Sequence, residues 1–500
     1  MSQEITKLGA AELARAIADR QISAVEAVDA CISRIEAVNP SVNAVVVPLF
    51  DDARERARQA DQVAASERGP LHGVPVTVKE CFDVAGTPST VGVPSRASHR
   101  AESDAPLVAR LRSSGAIVLG KTNVSQLLMY VETDNPVYGL THNPWNKARS
   151  SGGSSGGEGA IVALRGSALG LGTDVGGSVR VPAHCCGIHA LKPTPGRLSV
   201  EGTVSVIGNT GGAAIPDSGG LLARHVGDLR LALGALSPMK TPASDGSALR
   251  VGFYDDNGYF PVSPALRRAV HEAAACLRES GCDVAPFSPP EVPEATDLFM
   301  GFFGADRGAR WGALLEDGNV DPRMKDLLDL TGAPNLLRPV IAAALRLGGQ
   351  PRLARAIQVR CADDAKRVAE LSRGHADYRA RFASAMAAAK VDVLLCPPCI
   401  GPAFRHGSTK DLGPASVTYT SLFNLLAYPA GVVTTTSVRA DETTARPRSR
   451  ERMMEAARLD DEGSEGLPVG VQLVAEPGRE DRVLTVMEIL ERGATWRAPA

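Results

Sequence analysis

A stretch of thirty-one residues, 150–180, contains ten of the 50 glycines in this 500-residue chain. Its sequence is SSGGSSGGEGAIVALRGSALGLGTDVGGSVR. Glycine at this density is typical of a backbone that approaches another group closely or adopts angles that a Cβ atom forbids. A flexible Gly/Ser linker does not fit, because the apolar run 160–164 and the pattern that continues to Val181 indicate core structure. The stretch therefore predicts a structured functional site within a folded domain.

Other glycine-rich sites match this stretch only in part. A P-loop ends in Gly-Lys-Ser/Thr, but no lysine lies between Lys147 and Lys192. A dinucleotide fingerprint beginning at Gly170 needs a glycine where Val175 stands. The nucleophile elbow G-x-S-x-G matches 153–157 literally, although turn-like residues rather than a strand precede it. A nucleotide-binding loop and a nucleophile elbow both stay open as alternatives.

Strand-like and helical patterns alternate along the chain. The β-branched runs 74–78 and 116–119 flank a helical pattern at 105–113. The same unit recurs at 249–285, where Ser263 is the predicted N-cap of a helix. This alternation predicts an α/β fold in which helices cover a largely buried sheet.

Charge and composition exclude several classes of function. The chain has 54 Lys and Arg against 56 Asp and Glu, a balance that favours neither nucleic-acid binding nor a polybasic membrane surface. No run of about 18 apolar residues is present, so no transmembrane anchor is expected. The nine scattered cysteines favour reduced thiols, and with the absence of a signal peptide they predict a cytoplasmic protein. Cys185 and Cys186 lack a second pair of zinc ligands, so no metal is expected.

Three motifs together resemble the amidase signature family. They are the lysine strand GVPVTVKE at 73–80, the glycine–serine run GGSSGG at 152–157 and the run GTDVGGSVRVP at 172–182. Within that family the resemblance is greatest to the fatty-acid amide hydrolases, through similar stretches at 121–123, 143–145, 191–194, 428–433 and 466–469. The likeness extends, with gaps, from about residue 10 to residue 490.

The resemblance implies the amidase-signature fold, a large mixed β-sheet covered on both faces by helices. It implies one amidase domain over residues 1–500. Within that domain we expect N-terminal helices at 1–68 and a signature core at 69–235. A helical region at 290–390 would cap the substrate, and residues 391–500 would complete the sheet.

The resemblance assigns a catalytic triad of Lys79, Ser154 and Ser178. Ser178 would attack the carbonyl carbon and form an acyl-enzyme, while Ser154 relays the serine proton to Lys79. A lysine with its ordinary pKa near 10.4 is charged and cannot accept a proton. Lys79 follows an apolar strand, so desolvation is expected to lower its pKa. This chemistry needs no histidine, metal or cofactor, and none is predicted.

An oxyanion hole is expected directly before and at the nucleophile. The backbone N–H groups of Val175, Gly176, Gly177 and Ser178 could converge on the developing oxyanion, because glycines leave room for the substrate. Such donors typically contribute about 10²–10³-fold each to the rate.

Residues around the predicted site are expected to support it. Asp174 and Arg180 flank the oxyanion hole and should form a structural ion pair, with direct substrate contact as the alternative. The Ser155 hydroxyl is expected to support the catalytic residues without contacting the substrate itself. The resemblance also implies a cis peptide bond between Gly153 and Ser154.

Leu128, Met129 and Tyr130 stand where the fatty-acid amide hydrolases line their acyl pocket, and Ser154 is also expected to touch substrate. Ordinary core packing is an equal alternative for the run 128–130. Residues 336–347, LLRPVIAAALRL, stand where those enzymes have an apolar cap, which raises the hypothesis of weak peripheral membrane contact. An apolar pocket and a near-neutral chain favour uncharged lipophilic or aryl substrates.

We therefore predict an enzyme, a serine amidohydrolase. It would cleave linear amides of small molecules, such as fatty-acid amides, and also esters. A homodimer is expected. The alternative is the amidase-type A subunit of a tRNA-dependent glutamyl or aspartyl amidotransferase, which works with partner chains. Its glutamine site would be polar, unlike the run 128–130.

Overall fold

Eleven strands form one sheet in the residues that this computed structural model describes. Those residues are 2–204, 215–237, 239, 249–303, 309–315, 319–325, 336–359, 364–496 and 498. The strands are β1 (Val45–Pro48), β2 (Pro75–Lys79), β3 (Ile117–Thr122), β4 (Leu169–Asp174), β5 (His189–Lys192), β6 (Ser218–Ala223), β7 (Arg250–Phe253), β8 (Asp283–Pro286), β9 (Val393–Cys396), β10 (Ala430–Ser437) and β11 (Pro468–Ala475). Their spatial order is β1-β3-β2-β4-β6-β5-β10-β11-β9-β7-β8.

The sheet is mixed. β2 pairs in parallel with β3 and β4, and β7 pairs in parallel with β8 and β9. The remaining pairs are antiparallel. Every residue of β2, β3, β4, β6 and β11 is buried, which requires cover on both faces of the sheet. The predicted α/β fold with a large mixed sheet is confirmed.

Helices fill most of the chain between the strands. The helices are α1 (Ser2–Ile5), α2 (Ala10–Ala18), α3 (Ala24–Val42), α4 (Phe50–Asp61), α5 (Pro106–Ser113), α6 (Gly156–Ala163), α7 (Arg180–Cys186), α8 (Val226–Leu236), α9 (Pro264–Glu279), α10 (Val292–Phe303), α11 (Ala309–Leu314), α12 (Arg338–Leu347), α13 (Pro351–Gln358), α14 (Ala365–Ala388), α15 (Thr409–Leu412), α16 (Thr418–Leu425), α17 (Arg452–Asp461) and α18 (Glu480–Gly493). Ser263 caps α9 as predicted, because its hydroxyl accepts the N–H of Leu266.

Parts of the predicted helical cap at 290–390 lie outside the described residues. The described parts of it form α10 to α14. None of the helices in the described part of the chain combines the length and the apolar composition needed to cross a bilayer.

Two parallel strands bring the sequence motifs to one edge of the sheet. β2 ends at Lys79 and its neighbour β4 ends at Asp174. Side chains that follow the carboxyl ends of adjacent parallel strands lie close together. Ser154 lies in the turn before α6, and Ser178 lies in the turn before α7. Lys79 and Ser154, which are 75 residues apart along the chain, therefore meet at one place, and Ser178 lines the same cavity as Ser154.

Glycines on β4 let α6 lie directly on the sheet. A Cβ atom at Gly170 would overlap the carboxyl group of Glu158, which projects from α6. A Cβ atom at Gly172 would lie 2.7 Å from Cγ1 of Val179. Larger residues cannot occupy these positions without moving the helix, which accounts for much of the local glycine density.

Candidate active site

Lys79 is the buried centre of the candidate site. Its Nζ atom lies 2.8 Å from Oγ of Ser154 and 2.8 Å from Oγ1 of Thr173, with the main-chain oxygen of Thr173 at 3.4 Å. Burial lowers the pKa of Lys79 below its ordinary value, while nearby anionic groups act in the opposite direction. The site therefore favours a neutral amine that can accept a proton.

Ser154 and Ser178 face the same cavity. The Gly153–Ser154 peptide bond is cis, as the family resemblance implies. The Ser155 N–H donates to the main-chain oxygen of Ser178 at 3.1 Å, which ties the two serine turns together. The Ser178 hydroxyl forms no hydrogen bond with the residues that the structure describes, so Oγ is open toward the cavity.

The Ser155 hydroxyl differs from its expected role. Its oxygen is buried and has no hydrogen-bond partner within the described ranges. The contact with the Ser178 turn comes instead from the Ser155 main-chain N–H, which donates to the Ser178 carbonyl.

Three of the four N–H groups expected to form the oxyanion hole are available. Those of Val175, Gly176 and Ser178 have no acceptor in the part of the chain that the structure describes. The Gly177 N–H instead donates to Oδ1 of Asp174 at 2.8 Å. The backbone has φ of 123° at Gly177, a conformation that favours glycine.

Asp174 and Arg180 form the expected ion pair, and both side chains are fully buried. Nη2 of Arg180 lies 2.8 Å from Oδ1 of Asp174, and Nε lies 3.0 Å from Oδ2. Burial favours the protonated carboxyl, but the guanidinium outweighs burial and holds the pKa of Asp174 well below its usual value. Neither residue is among the described residues that line the cavity.

Two helix residues from α16 extend this support. Thr420 donates its hydroxyl to the main-chain oxygen of Gly176 at 2.6 Å. Asn424 donates to Oδ1 of Asp174 at 2.9 Å, and its own side-chain oxygen accepts from Arg180. The loop 174–180, called the oxyanion loop below after its expected role, is therefore held by a helix more than 240 residues further along the chain.

The cavity beside Ser178 has a volume of about 200 Å³ and a mainly apolar lining. Leu128, Met129 and Tyr130 contribute to this lining. Val175, predicted for the oxyanion hole, also lines the cavity, whereas sequence reasoning did not find the other apolar lining residues, which are Val131, Val204, Phe299, Met300, Phe303, Pro414 and Val417. The apolar pattern of α10 is ordinary for a core helix, so it carried no signal for the cavity.

Arg323 also lines the cavity, but its charge is matched by three carboxylates. It lies 2.6 Å from Asp321, 2.7 Å from Asp134 and 3.2 Å from Glu132. Its guanidinium lies over the Tyr130 ring, 5.7 Å from the centroid. The local charges therefore leave this wall of the cavity without excess positive charge.

The Amidase family profile matches residues 26–484. This chain belongs to the amidase signature family. The amidase is 35% identical over 479 residues to fatty-acid amide hydrolase 1 of Sus scrofa, an alignment that covers 91% of this chain and 80% of the relative. It is 33% identical to fatty acid amide hydrolase 1 of Caenorhabditis elegans over 95% of this chain and 86% of the relative.

A solved structure of a fatty acid amide hydrolase has the same fold. It superposes with a TM-score of 0.82 at 28% identity and covers 98% of this amidase and 85% of the solved chain. The amidase is therefore an amide-hydrolysing enzyme that is similar to fatty-acid amide hydrolases over most of its length. Membership of the family argues against the nucleotide-binding loop that the glycine pattern left open.

Proposed function

We propose that this amidase is a serine hydrolase that cleaves amide bonds, and also ester bonds, of uncharged lipophilic or aryl substrates such as fatty-acid amides. The observation that carries the proposal is the contact between Nζ of Lys79 and Oγ of Ser154, at 2.8 Å, beside Ser178 in an apolar cavity. The named activities of the relatives support the same substrate class.

Acylation begins when Oγ of Ser178 attacks the carbonyl carbon of the substrate. The Ser178 proton passes to Ser154, and the Ser154 proton passes to Lys79, which becomes an ammonium group. The N–H groups of Val175, Gly176 and Ser178 stabilise the oxyanion. The tetrahedral intermediate then collapses, and Lys79 returns a proton through Ser154 to the departing amine nitrogen.

Deacylation runs through the same groups in reverse. A water molecule attacks the acyl carbon and loses a proton through Ser154 to Lys79. The carbon–oxygen bond to Ser178 breaks, the carboxylic acid leaves, and the proton held by Lys79 returns through Ser154 to the Ser178 oxygen. Each cycle consumes one water molecule and leaves the enzyme unchanged.

The lining of the cavity supports the proposed substrate class. Apolar side chains such as Leu128, Phe299 and Met300 favour an acyl or aryl group over a charged one. An apolar lining does not suit the polar glutamine site expected of an amidotransferase subunit. Residues 290–390 contribute Phe299, Met300 and Phe303 to the lining, so we propose that this region caps the substrate within a single domain.

Reaction with a fluorophosphonate tests the nucleophile. The probe should label one peptide, the one that contains Ser178, because only an activated serine displaces fluoride from phosphorus. Ser178→Ala should lose the label. Peptide mass mapping measures the site of modification.

Ser155→Ala is the matched control, because the Ser155 hydroxyl has no partner among the described residues. It should be labelled like the wild type. Modification of any peptide other than the one with Ser178 would contradict the assignment.

We also propose that α12 makes weak peripheral contact with membranes. Leu336, Val340 and Leu347 are 90%, 68% and 92% exposed. Val340 and Leu347 are seven residues apart and therefore share a helix face. Burying such side chains in a bilayer is favourable by about 0.8 kcal/mol per CH₂ group, which suffices for reversible binding only.

Sedimentation with phosphatidylcholine vesicles tests this contact. A triple variant, Leu336→Ser with Val340→Ser and Leu347→Ser, should reduce the bound fraction severalfold because the apolar face is lost. Met239→Ser removes an exposed apolar side chain outside α12 and should bind like the wild type. Equal binding of the triple variant and the wild type would refute the proposal. The expected homodimer and cytoplasmic location stay predictions.

A further inference from the structure

Glu158 is a fully buried carboxyl group that the proposed mechanism does not use. It projects from α6 onto β2 and β3. Oγ1 of Thr77 donates to its Oε2 at 2.6 Å, and Oγ1 of Thr122 donates to its Oε1 at 2.9 Å. Thr77 precedes Lys79 by two residues in β2, and Thr122 is the residue opposite Lys79 in β3. The carboxyl group therefore lies against the two strand positions that flank Lys79.

The fold reserves space for this carboxyl group. The neighbouring strand β4 has glycine at position 170, opposite Thr77, and a Cβ atom there would overlap Oε2 of Glu158. The hydroxyl groups of Thr77 and Thr122 are both turned toward the carboxyl oxygens. An acid that served only to fill space would be replaced here by an apolar side chain at lower desolvation cost.

No arginine, lysine or histidine forms an ion pair with Glu158 in the described part of the chain. Burial raises the pKa of Glu158 above its ordinary value, whereas the Lys79 ammonium acts in the opposite direction, so protonation of Lys79 favours the Glu158 carboxylate. The charge states of Lys79 and Glu158 are therefore coupled, although no hydrogen bond or ion pair joins the two groups.

Three other acidic groups act on Lys79: Cys81, Asp174 and Asp217. Burial raises the pKa of the Cys81 thiol to about 11, so it is neutral at physiological pH. Asp174 is matched by Arg180. Asp217 lines the cavity and is partly exposed to solvent, which screens its charge. Among the groups that act on Lys79, Glu158 is the fully buried carboxyl that no arginine matches within the described residues.

We propose that Glu158 is a positioning residue that acts through Lys79, as the counter-charge for the ammonium group that Lys79 becomes when it accepts the Ser178 proton. This inference rests on the proposed function. A carboxylate beside Lys79 favours the charged form of the lysine. Removing the carboxylate makes Lys79 release its proton at lower pH and makes the ammonium intermediate less stable.

The test is the pH dependence of Ser178 acylation by p-nitrophenyl butyrate, from pH 5 to pH 10, in the wild type and Glu158→Gln. Activity requires neutral Lys79 and therefore rises with pH. In Glu158→Gln the midpoint of this rise should move to lower pH by about one unit, as for the loss of a neighbouring charge. Plateau kcat should fall about tenfold, the equivalent of that shift, with KM unchanged.

Glu80→Gln is the matched control. Glu80 is also a buried carboxyl group, one residue after Lys79, but it accepts the N–H of Val91 and is not among the groups that act on Lys79. Its variant should keep the wild-type midpoint, whatever the change in thermal stability.

A second pair of variants tests the same inference if Glu158→Gln does not fold. Thr122→Val removes one donor to the carboxylate and should also move the midpoint to lower pH, whereas Thr122→Ser keeps the hydroxyl and should restore the wild-type value. Equal midpoints in these two variants would overturn the inference, and so would a Glu158→Gln profile identical to the wild type or altered only in KM.

Failure of the proposed function looks different. A wild type that p-nitrophenyl butyrate does not acylate at Ser178 would overturn both the proposed function and this inference. A wild type that is acylated at Ser178, with variants that keep its midpoint and kcat, would overturn the role of Glu158 alone.

Discussion

Replacement of Lys79 with alanine is expected to lower kcat for a fatty-acid amide by about 10²–10⁴-fold at pH 7, the usual contribution of a general base. Ser154 then has no group that can take its proton, because Nζ of Lys79 is the base within hydrogen-bonding distance of its Oγ. KM should change little, since Lys79 does not line the cavity among the described residues. Steady-state kinetics on a purified variant measures both values.

Lys121→Ala is the control for the Lys79 variant. Lys121 is also buried at 0% exposure, but its ammonium group contacts the hydroxyl groups of Thr87 and Ser89 and lies outside the serine turns. The folded fraction of this variant should keep a kcat near that of the wild type. A Lys79→Ala enzyme within a few-fold of the wild-type rate would show that another group is the base.

Asp174→Asn is expected to destabilise the fold by about 3–5 kcal/mol, the usual cost of removing one partner from a buried ion pair. Arg180 would remain charged and fully buried without its carboxylate. The N–H groups of Gly177 and Val179 would also lose a charged acceptor. Urea unfolding, with the midpoint and the slope compared, measures the change in the free energy of unfolding.

The Asp174 carboxyl group determines how the difference in unfolding free energy between the wild type and Asp174→Asn depends on pH. The pKa of Asp174 lies below its usual value in the folded chain, so the carboxylate stabilises the fold above the unfolded pKa of about 3.9. The gap between the wild type and Asp174→Asn should be constant at neutral pH and shrink as the pH falls below about 4.

Glu55→Gln provides the contrast for the Asp174 variant. Glu55 pairs with Arg58 on the exposed surface of α4, where water screens the charges. Its variant should keep the wild-type unfolding midpoint. An Asp174→Asn midpoint equally close to the wild type would contradict a structural role for the Asp174–Arg180 pair.

The candidate catalytic side chains could be located from short motifs, because each lies in a local backbone pattern. Lys79 ends an apolar strand, and Ser154 and Ser178 each follow a pair of glycines. The alternation of strands and helices likewise predicted the α/β fold, since buried parallel strands and their crossover helices have recognisable periods. These features depend on neighbours in sequence.

Contacts between distant segments could not be predicted in this way. Thr420 and Asn424 support the oxyanion loop from another helix, and Phe299 lines the cavity from α10. Gly177 turns its N–H toward Asp174, and the Ser155 hydroxyl has no partner among the described residues. The direction of a hydrogen bond depends on the backbone angles and on which groups the fold places nearby. A short sequence motif specifies neither.

The glycine-rich stretch and Lys79 separate what the sequence predicts from what only the tertiary structure decides. Its composition is enough to predict close backbone contact, since only glycine lacks a Cβ atom, and its motifs are enough to identify the family. The charge state of Lys79 is a different matter. It follows from burial, from the hydrogen bonds of Lys79 with Ser154 and Thr173, and from the charge of groups such as Glu158, which lie on separate segments. Only folding removes water from the lysine and brings those groups around it, and a pKa depends on both.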